Sequence, residues 1–268
     1  MIDAGKRNLI GVLVDVVDYE AAVHRIITAA RLRQSMSVSA LAVHGVMTGA
    51  LDEAHRYRLN HLDLVAPDGQ PVRWALNALH GAGLTVRVYG PSLTLKVCER
   101  AAAESLPIYL YGSQGHVLEA LRRNLCSQFP GLQIAGWQPS RFRQLSVDEQ
   151  KEVARTITDS GARLVLAGLG CPRQEVWVYE YRNLLPMPLL AVGAAFDFHA
   201  GHVAQAPPRV QRAGLEWLFR LLLEPRRLWR RYLLLNPHYI MLVLLQAAGL
   251  RRFDPATASP PSGELRYG

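Results

Sequence analysis

The chain has 268 residues, half of them hydrophobic, with a formal charge of +8 and a sequence pI of 9.7. That length buries a real core, as one large or two small domains, and the basic balance fits an acidic partner: nucleic acid, anionic lipid or a phosphorylated substrate. Cys98, Cys126 and Cys171 lack metal-like spacing, and so sparse a set excludes a disulfide framework and fits a reducing compartment.

In chain order, strand-like and helix-like segments alternate. "LIGVLVDV" reads as a strand, after which Asp18 caps a helix running through Arg31. "SALAVHG" is a second strand and "DEAHRYRL" a second helix. "LDLVAPDG" ends at a turn. "PVRWALNALHG" follows as a helix, with Pro71 at its start and Gly81 at its end. "TVRVYG", "PIYLYG" and "LQIAGW" read as short strands. Ser146 and Glu149 then form a capping box, and "ARLVLAGLG" and "PLLAVGAAF" complete the set. Apolar strands alternating with helices require crossover connections and a parallel sheet buried on both faces. The expected fold is a Rossmann-like α/β sandwich over residues 1–207. Residues 208–253 read as a helical, Arg-rich appendage, and residues 254–268 as a disordered tail with almost nothing to bury. The N-terminus has no long apolar core or cleavage site, so no signal peptide is expected. No clean run of about 20 apolar residues is present either.

Sites on such a sheet gather at the carboxyl ends of the strands. Asp68, in "APDGQP", is either an Asp–Gly turn residue or a carboxylate held at a strand end as a general base. Arg87, in "RVYGPS", is either a structural ion-pair partner or a fixed phosphate donor. Gly112 and Gly115 bracket a turn whose N–H groups can receive phosphate. In "GLGCPRQE", Gly168 and Gly170 permit a tight turn and close ligand approach. Gln174 and Glu175 then fall in the first turn of a helix, where N–H groups favour anions. Gln174 suits a sugar hydroxyl or a uracil edge; Glu175 either joins the site or only complements the helix dipole.

The C-terminal stretch "GLEWLFRLLLEPRRLWRRYLLLNP" differs in kind. Arg212, Glu216, Arg220, Glu224, Arg227 and Arg231 recur at helical spacing, flanked by Arg226 and Arg230. Pro225 breaks the stretch into two helices. Arginine is used to the exclusion of lysine and interleaved with Trp217, Trp229 and Tyr232. That choice suits phosphate and a membrane interface better than mere solubility.

"GLGCPRQEVW", "VGAAFDFHAGHVAQAP", "GLEWLFRLLLEPRRLWRRYL", "LVAPDGQPV" and "RVYGPSL" together resemble the WecG/TagA/CpsF glycosyltransferases, over about Val38 to Asn236. The resemblance implies an inverting transfer from a UDP-sugar to a polyprenyl-diphosphate-linked sugar, by a peripheral protein on the cytoplasmic face of the inner membrane. It assigns Asp68 as the catalytic base, Arg87 to the active site and Gln174 to the donor loop. Arg220, Arg227 and Arg230 fall in the part of the family that meets the diphosphate. Many members carry Thr-x-Asn after the early strand; here "LAVHGV" puts His44 near the Asn position. "APDGQPVRWALN" and "HGVMTG" look more like the xanthan-type, GumM-like branch. That branch implies β-1,4 transfer of glucose in exopolysaccharide assembly; the alternative within the family is an N-acetylmannosamine or N-acetylmannosaminuronic acid donor.

The donor site is thus expected from His44, Gly112, Gly168, Gly170, Gln174 and Glu175. Arg220, Arg226, Arg227, Arg230 and Arg231 are expected at the acceptor diphosphate or the anionic inner-membrane surface. No Asp-x-Asp motif stands at a strand end, and "DFH" at Asp197 lacks a second carboxylate, so metal-independent transfer is expected. A dinucleotide-binding dehydrogenase domain is disfavoured, because the G-x-G-x-x-G glycines and the ribose-binding acid are not evident. A non-enzymatic nucleotide-, membrane- or nucleic-acid-binding protein would explain the charge. The aromatic–apolar stretch beside the arginines fits a lipid surface better than a nucleic-acid groove.

Overall fold

The computed structural model describes residues 1–268, apart from the side chains of Pro208, Arg227 and Arg231. The chain opens with a hairpin, β1 (Asp3–Leu9) and β2 (Val12–Val17), and continues into α1 (Tyr19–Leu32). The expected single first strand is therefore two. Ile10 and Gly11, both at positive φ, turn the chain back between them, and the pair forms its own antiparallel sheet. Asp18 caps α1 as expected, accepting from the Ala21 N–H at 2.8 Å.

Next come β3 (Met36–Leu41), α2 (Val43–Leu51), α3 (Glu53–Asn60), β4 (Leu64–Pro67), α4 (Gln70–His80) and α5 (Gly90–Ala103). They are followed by β5 (Ile108–Gly112), α6 (Gly115–Gln128), β6 (Ile134–Gln138), α7 (Val147–Asp159), β7 (Leu164–Gly168), α8 (Arg173–Tyr181), β8 (Pro188–Ala191) and α9 (Ala195–His199). Two expectations change. The "VHG" of the expected strand "SALAVHG" opens helix α2 instead, and "TVRVY" is an irregular connection leading into α5. Thr85 and Arg87 spend their chemistry elsewhere: the Thr85 carbonyl accepts from Arg73, and Arg87 turns to the site described below.

The main sheet has six parallel strands in the order β4-β3-β8-β7-β5-β6. Each central strand feeds two cores, because side chains alternate across the pleat. On β7, Leu164 and Leu166 join one core while Val165 and Ala167 join the other. That double burial explains the continuous apolar runs in the sequence. The exposed edge of β4 is closed by the hairpin: buried Asp15 of β2 accepts from the Val65 N–H at 2.7 Å.

The C-terminal helices are α10 (Pro208–Arg212), α11 (Glu216–Leu223), α12 (Pro225–Leu233) and α13 (Leu235–Ala247). Pro225 starts α12, as its missing N–H requires. The expected boundary at residue 207 does not divide the packing. Tyr239 and Leu242 of α13 belong to the main core, the Tyr239 hydroxyl donates to the Pro71 carbonyl at 3.1 Å, and Gln246 brackets the β1–β2 turn. The expected disordered tail is also ordered. Buried Glu180 accepts from the Leu265 and Arg266 N–H groups at 2.7 and 2.9 Å, and Tyr267 bridges to Gln144. Backbone polar groups hold this segment, and composition does not register such bonds.

Candidate active site

The carboxyl ends of β3, β4, β5, β7 and β8 open onto a cleft of about 540 Å³. Its walls are Leu41 and Ala42, Asp68, the Ser113–Gln114 turn, Gly168–Cys171 and Val192–Ala194. A second cleft of about 110 Å³ lies against α2, α4, α11 and α12, lined by His44, Arg87, Glu216, Trp217 and Tyr232 among others. Asp68, Tyr89 and Arg220 line both. The two clefts therefore meet at one carboxylate.

Asp68 follows β4 directly, and Gly69, at φ +85°, makes the turn into α4. The Gly90 N–H at the start of α5 donates to Asp68 Oδ2 at 3.3 Å. Arg87 Nη1 stands 3.9 Å from Asp68 Oδ1. Burial pushes the Asp68 carboxyl up to about 6 from an ordinary 3.8; the Arg87 charge opposes this and the Glu216 charge adds to it. A carboxyl with that value is ionised at neutral pH yet retains proton affinity, as a general base requires.

Arg87 is held by a partner that the sequence does not disclose. Its Nη2 donates to Glu216 Oε2 of α11, and its guanidinium stacks 4.2 Å from the centre of the Tyr89 ring. Glu216 reads in the sequence as one member of an i,i+4 stripe. No local spacing signals that its partner lies 129 positions away. Arg220 does pair along its helix, 4.0 Å from Glu224, and its guanidinium also lies 5.5 Å from the Phe198 ring centre, inside the main cleft.

The donor-loop residues are partly redistributed. Gly168 and Gly170 line the main cleft. Gly168 must be glycine because a Cβ there would meet the Phe196 ring at 2.6 Å. Gly112 is not in the lining. It sits behind the cleft at φ +104°, its missing Cβ leaving room for the Gly168 backbone, while its neighbours Ser113, Gln114 and His116 face the cavity. Gln174 and Glu175 lie in the first turn of α8 and line the main cleft, although both are almost wholly buried. Burial raises the Glu175 carboxyl, which suits neutral contacts. His44 stands on α2 in the smaller cleft, so it belongs to the other side of Asp68 from the main cleft.

Of the arginines, Arg220 alone among the described side chains of the expected set reaches the clefts. Arg226 and Arg230 are exposed on α12, Arg230 with its guanidinium 5.2 Å from the centre of the Trp229 ring. The side chains of Arg227 and Arg231 lie outside the described residues. Sequence reading missed Tyr89, Glu216, Ser113 and the His116–His202 pair, whose rings meet edge to face at 5.1 Å beside the main cleft. Only Glu216 had drawn notice, for its place in the charge stripe.

Residues 7–253 match the model of the glycosyl transferase WecG/TagA/CpsF family. The chain is 34% identical over 187 residues to an N-acetylglucosaminyldiphosphoundecaprenol N-acetyl-beta-D-mannosaminyltransferase of Bacillus spizizenii strain W23, covering 69% of this chain and 70% of the relative. It is 30% identical over 198 residues to the protein of the same name from Bacillus subtilis strain 168, covering 74% of each. With its two clefts joined at a basic carboxylate, this chain belongs to the WecG/TagA/CpsF family of glycosyltransferases.

Proposed function

We propose that the chain transfers N-acetylmannosamine from its UDP derivative to undecaprenyl-diphosphate-linked N-acetylglucosamine, with inversion. The observation that carries the mechanism is Asp68 at the junction of the clefts, with its carboxyl raised to about 6. The main cleft takes the donor and the smaller one the acceptor sugar. The acceptor hydroxyl loses its proton to Asp68 and attacks the anomeric carbon in a single displacement. As the new C–O bond forms, the bond to the β-phosphate breaks and its electron pair leaves on UDP. Arg220 faces both clefts and supplies fixed positive charge to the diphosphate groups. Arg87 orients Asp68 and is itself held by Glu216.

The choice of sugar follows the two relatives, both named as N-acetylmannosaminyltransferases. The glucosyl, GumM-like reading of "APDGQPVRWALN" and "HGVMTG" gives way to it. His44, near the position of the family's Asn, lines the smaller cleft rather than the main one. No helix among the described residues is long and apolar enough to cross a membrane. We place the protein peripherally on the cytoplasmic face of the inner membrane. Exposed Arg226, Trp229 and Arg230 on α12 and exposed Ile240, Met241 and Leu244 on α13 support this. Nucleic acid is not part of the reading.

The test is mass analysis of the lipid product formed from synthetic N-acetylglucosaminyl-diphospho-undecaprenol and a panel of UDP-sugars. Gain of one N-acetylhexosamine from the UDP-N-acetylmannosamine arm supports the proposal; gain of a hexose from UDP-glucose alone restores the glucosyl reading. Transfer is also expected to proceed in EDTA. Loss of activity on chelation, restored by magnesium or manganese, would show that a metal rather than arginine neutralises the leaving group.

A further inference from the structure

Gln174 and Glu175 are 4% and 1% exposed, and the mechanism above gives Glu175 no task. Gln174 Nε2 donates to Glu175 Oε1 at 2.8 Å, and Ser39 Oγ of β3 donates to the same oxygen at 3.1 Å. That oxygen has two lone pairs, and both are used. The two ends of a glutamine amide have nearly the same shape, so its hydrogen bonds decide which end points where. Here the nitrogen is engaged by Glu175. The amide oxygen, Gln174 Oε1, is buried and carries no hydrogen bond. Native proteins rarely leave such an acceptor without a donor.

The location of that oxygen narrows what its donor can be. A Cβ on Gly193 would lie 3.1 Å from Gln174 Oε1 and 3.3 Å from Nε2, so the amide abuts Gly193, and both residues line the main cleft. A Cβ on Gly90 would lie 3.5 Å from Asp68 Oδ2 and 3.6 Å from the carbonyl oxygen of Val192, the residue before Gly193. Gln174 thus stands towards the Asp68 end of the cleft. The transferred sugar occupies that end, because the acceptor hydroxyl that Asp68 deprotonates attacks its anomeric carbon.

We infer that Glu175 is a positioning residue: it turns the Gln174 amide so that its oxygen faces the donor sugar, selecting a sugar that presents an N–H or O–H there. The inference rests on the donor-cleft assignment made above. The neutrality of the arrangement agrees with it, since the groups against the Glu175 carboxyl are the Gln174 amide, the Ser39 hydroxyl and the Cys171 thiol.

Titration calorimetry of the full chain with UDP and with UDP-N-acetylmannosamine tests it. The ratio of the two dissociation constants isolates the sugar's share of binding. Glu175→Ala and Gln174→Ala are each expected to cut that ratio by about three- to ten-fold, the share of one hydrogen bond, with UDP affinity unchanged. The double variant is expected to lose no more than either single one, and Glu175→Gln, which keeps an acceptor oxygen, to restore the ratio. Where Glu175→Ala does not fold, Glu175→Leu fills the same volume without an acceptor and serves in its place. Additive losses in the double variant, or equal weakening of UDP and UDP-sugar, overturn the role of Glu175 alone. So does a wild type that binds the sugar nucleotide no better than UDP. A wild type that binds neither compound overturns the donor-cleft reading itself.

Discussion

As the proposed base, Asp68 is expected to pair a functional benefit with a cost in stability, and the two can be measured on one variant. Turnover requires the ionised form, so kcat is expected to fall as pH drops through about 6. Asp68→Asn should lower kcat by about 100- to 10,000-fold and abolish that acid limb. Stability runs the other way. The folded value of about 6 lies above the ordinary 3.8, so the folded state holds the proton more tightly than the unfolded chain does. Ionisation therefore costs stability, at most about 3 kcal/mol, absent below pH ~4 and complete above pH ~6. Thermal melts of Asp68→Asn should give a Tm at or above wild type at neutral pH, with the gap closing towards pH ~4. A clearly lower Tm at neutral pH would mean that the Arg87 pairing outweighs burial. Gly112 illustrates the opposite case, a site-adjacent residue whose task is structural. Its φ is +104°, and a Cβ there would fall 2.9 Å from the Gly168 carbonyl, so Gly112→Ala is strained. The substitution should cost about 1–3 kcal/mol in a melt while leaving UDP affinity of the folded protein unchanged. Selective loss of UDP binding would return Gly112 to the donor site.

At the scale of elements, α11 connects the C-terminal helices to the base. Glu216 holds one arm of Arg87, leaving the other 3.9 Å from Asp68, too far for a hydrogen bond. Removing the Glu216 carboxylate frees Arg87 to close on Asp68. It also removes a negative charge that raises the Asp68 value. Both effects lower it. Glu216→Ala should therefore move the acid limb of kcat below pH ~6 and reduce kcat at neutral pH, since a weaker base draws the proton less strongly. The pH–rate profile decides: an unmoved limb would make Glu216 a packing residue only. Helix α13 matters for a different reason. One face supplies Tyr239 and Leu242 to the core while Ile240, Met241 and Leu244 remain exposed. A helix apolar all round is usually buried all round, so the uncovered face needs a partner.

For the whole molecule, that face and the exposed arginines and tryptophan of α12 are proposed to meet lipid together. Each arginine near an anionic leaflet contributes roughly 1 kcal/mol, an attraction that salt weakens as the Debye length shrinks to about 3 Å at 1 M. The apolar side chains add a salt-resistant part. Co-sedimentation with anionic vesicles should therefore fall, but not vanish, at high salt. Met241→Asp should remove the residual binding without changing UDP affinity, because Met241 lines neither cleft. Binding indifferent to salt, to anionic lipid and to this substitution would leave the α13 face unexplained by a membrane.

The alternation of strands and helices, the parallel sheet, the caps at Asp18 and Ser146 and the break at Pro225 were legible in the sequence. Each follows from local rules: burial on both faces, a side-chain oxygen meeting an orphan N–H, or a missing N–H. Asp68, Gly168, Gly170 and Gln174 were legible as site candidates because strand ends of a parallel sheet converge. The charge stripe told which residues share a helix face, but not which of them turns inward. That Glu216 reaches Arg87, that Arg220 but not Arg226 or Arg230 lines the clefts, and that Glu175 accepts from the Gln174 amide and the Ser39 hydroxyl were decided by packing. These pairings join positions up to 136 residues apart, between elements whose order in the sheet no local pattern encodes. The same holds for the tail. Its composition offers little to bury, and it is ordered because Glu180, far upstream, accepts its backbone N–H groups.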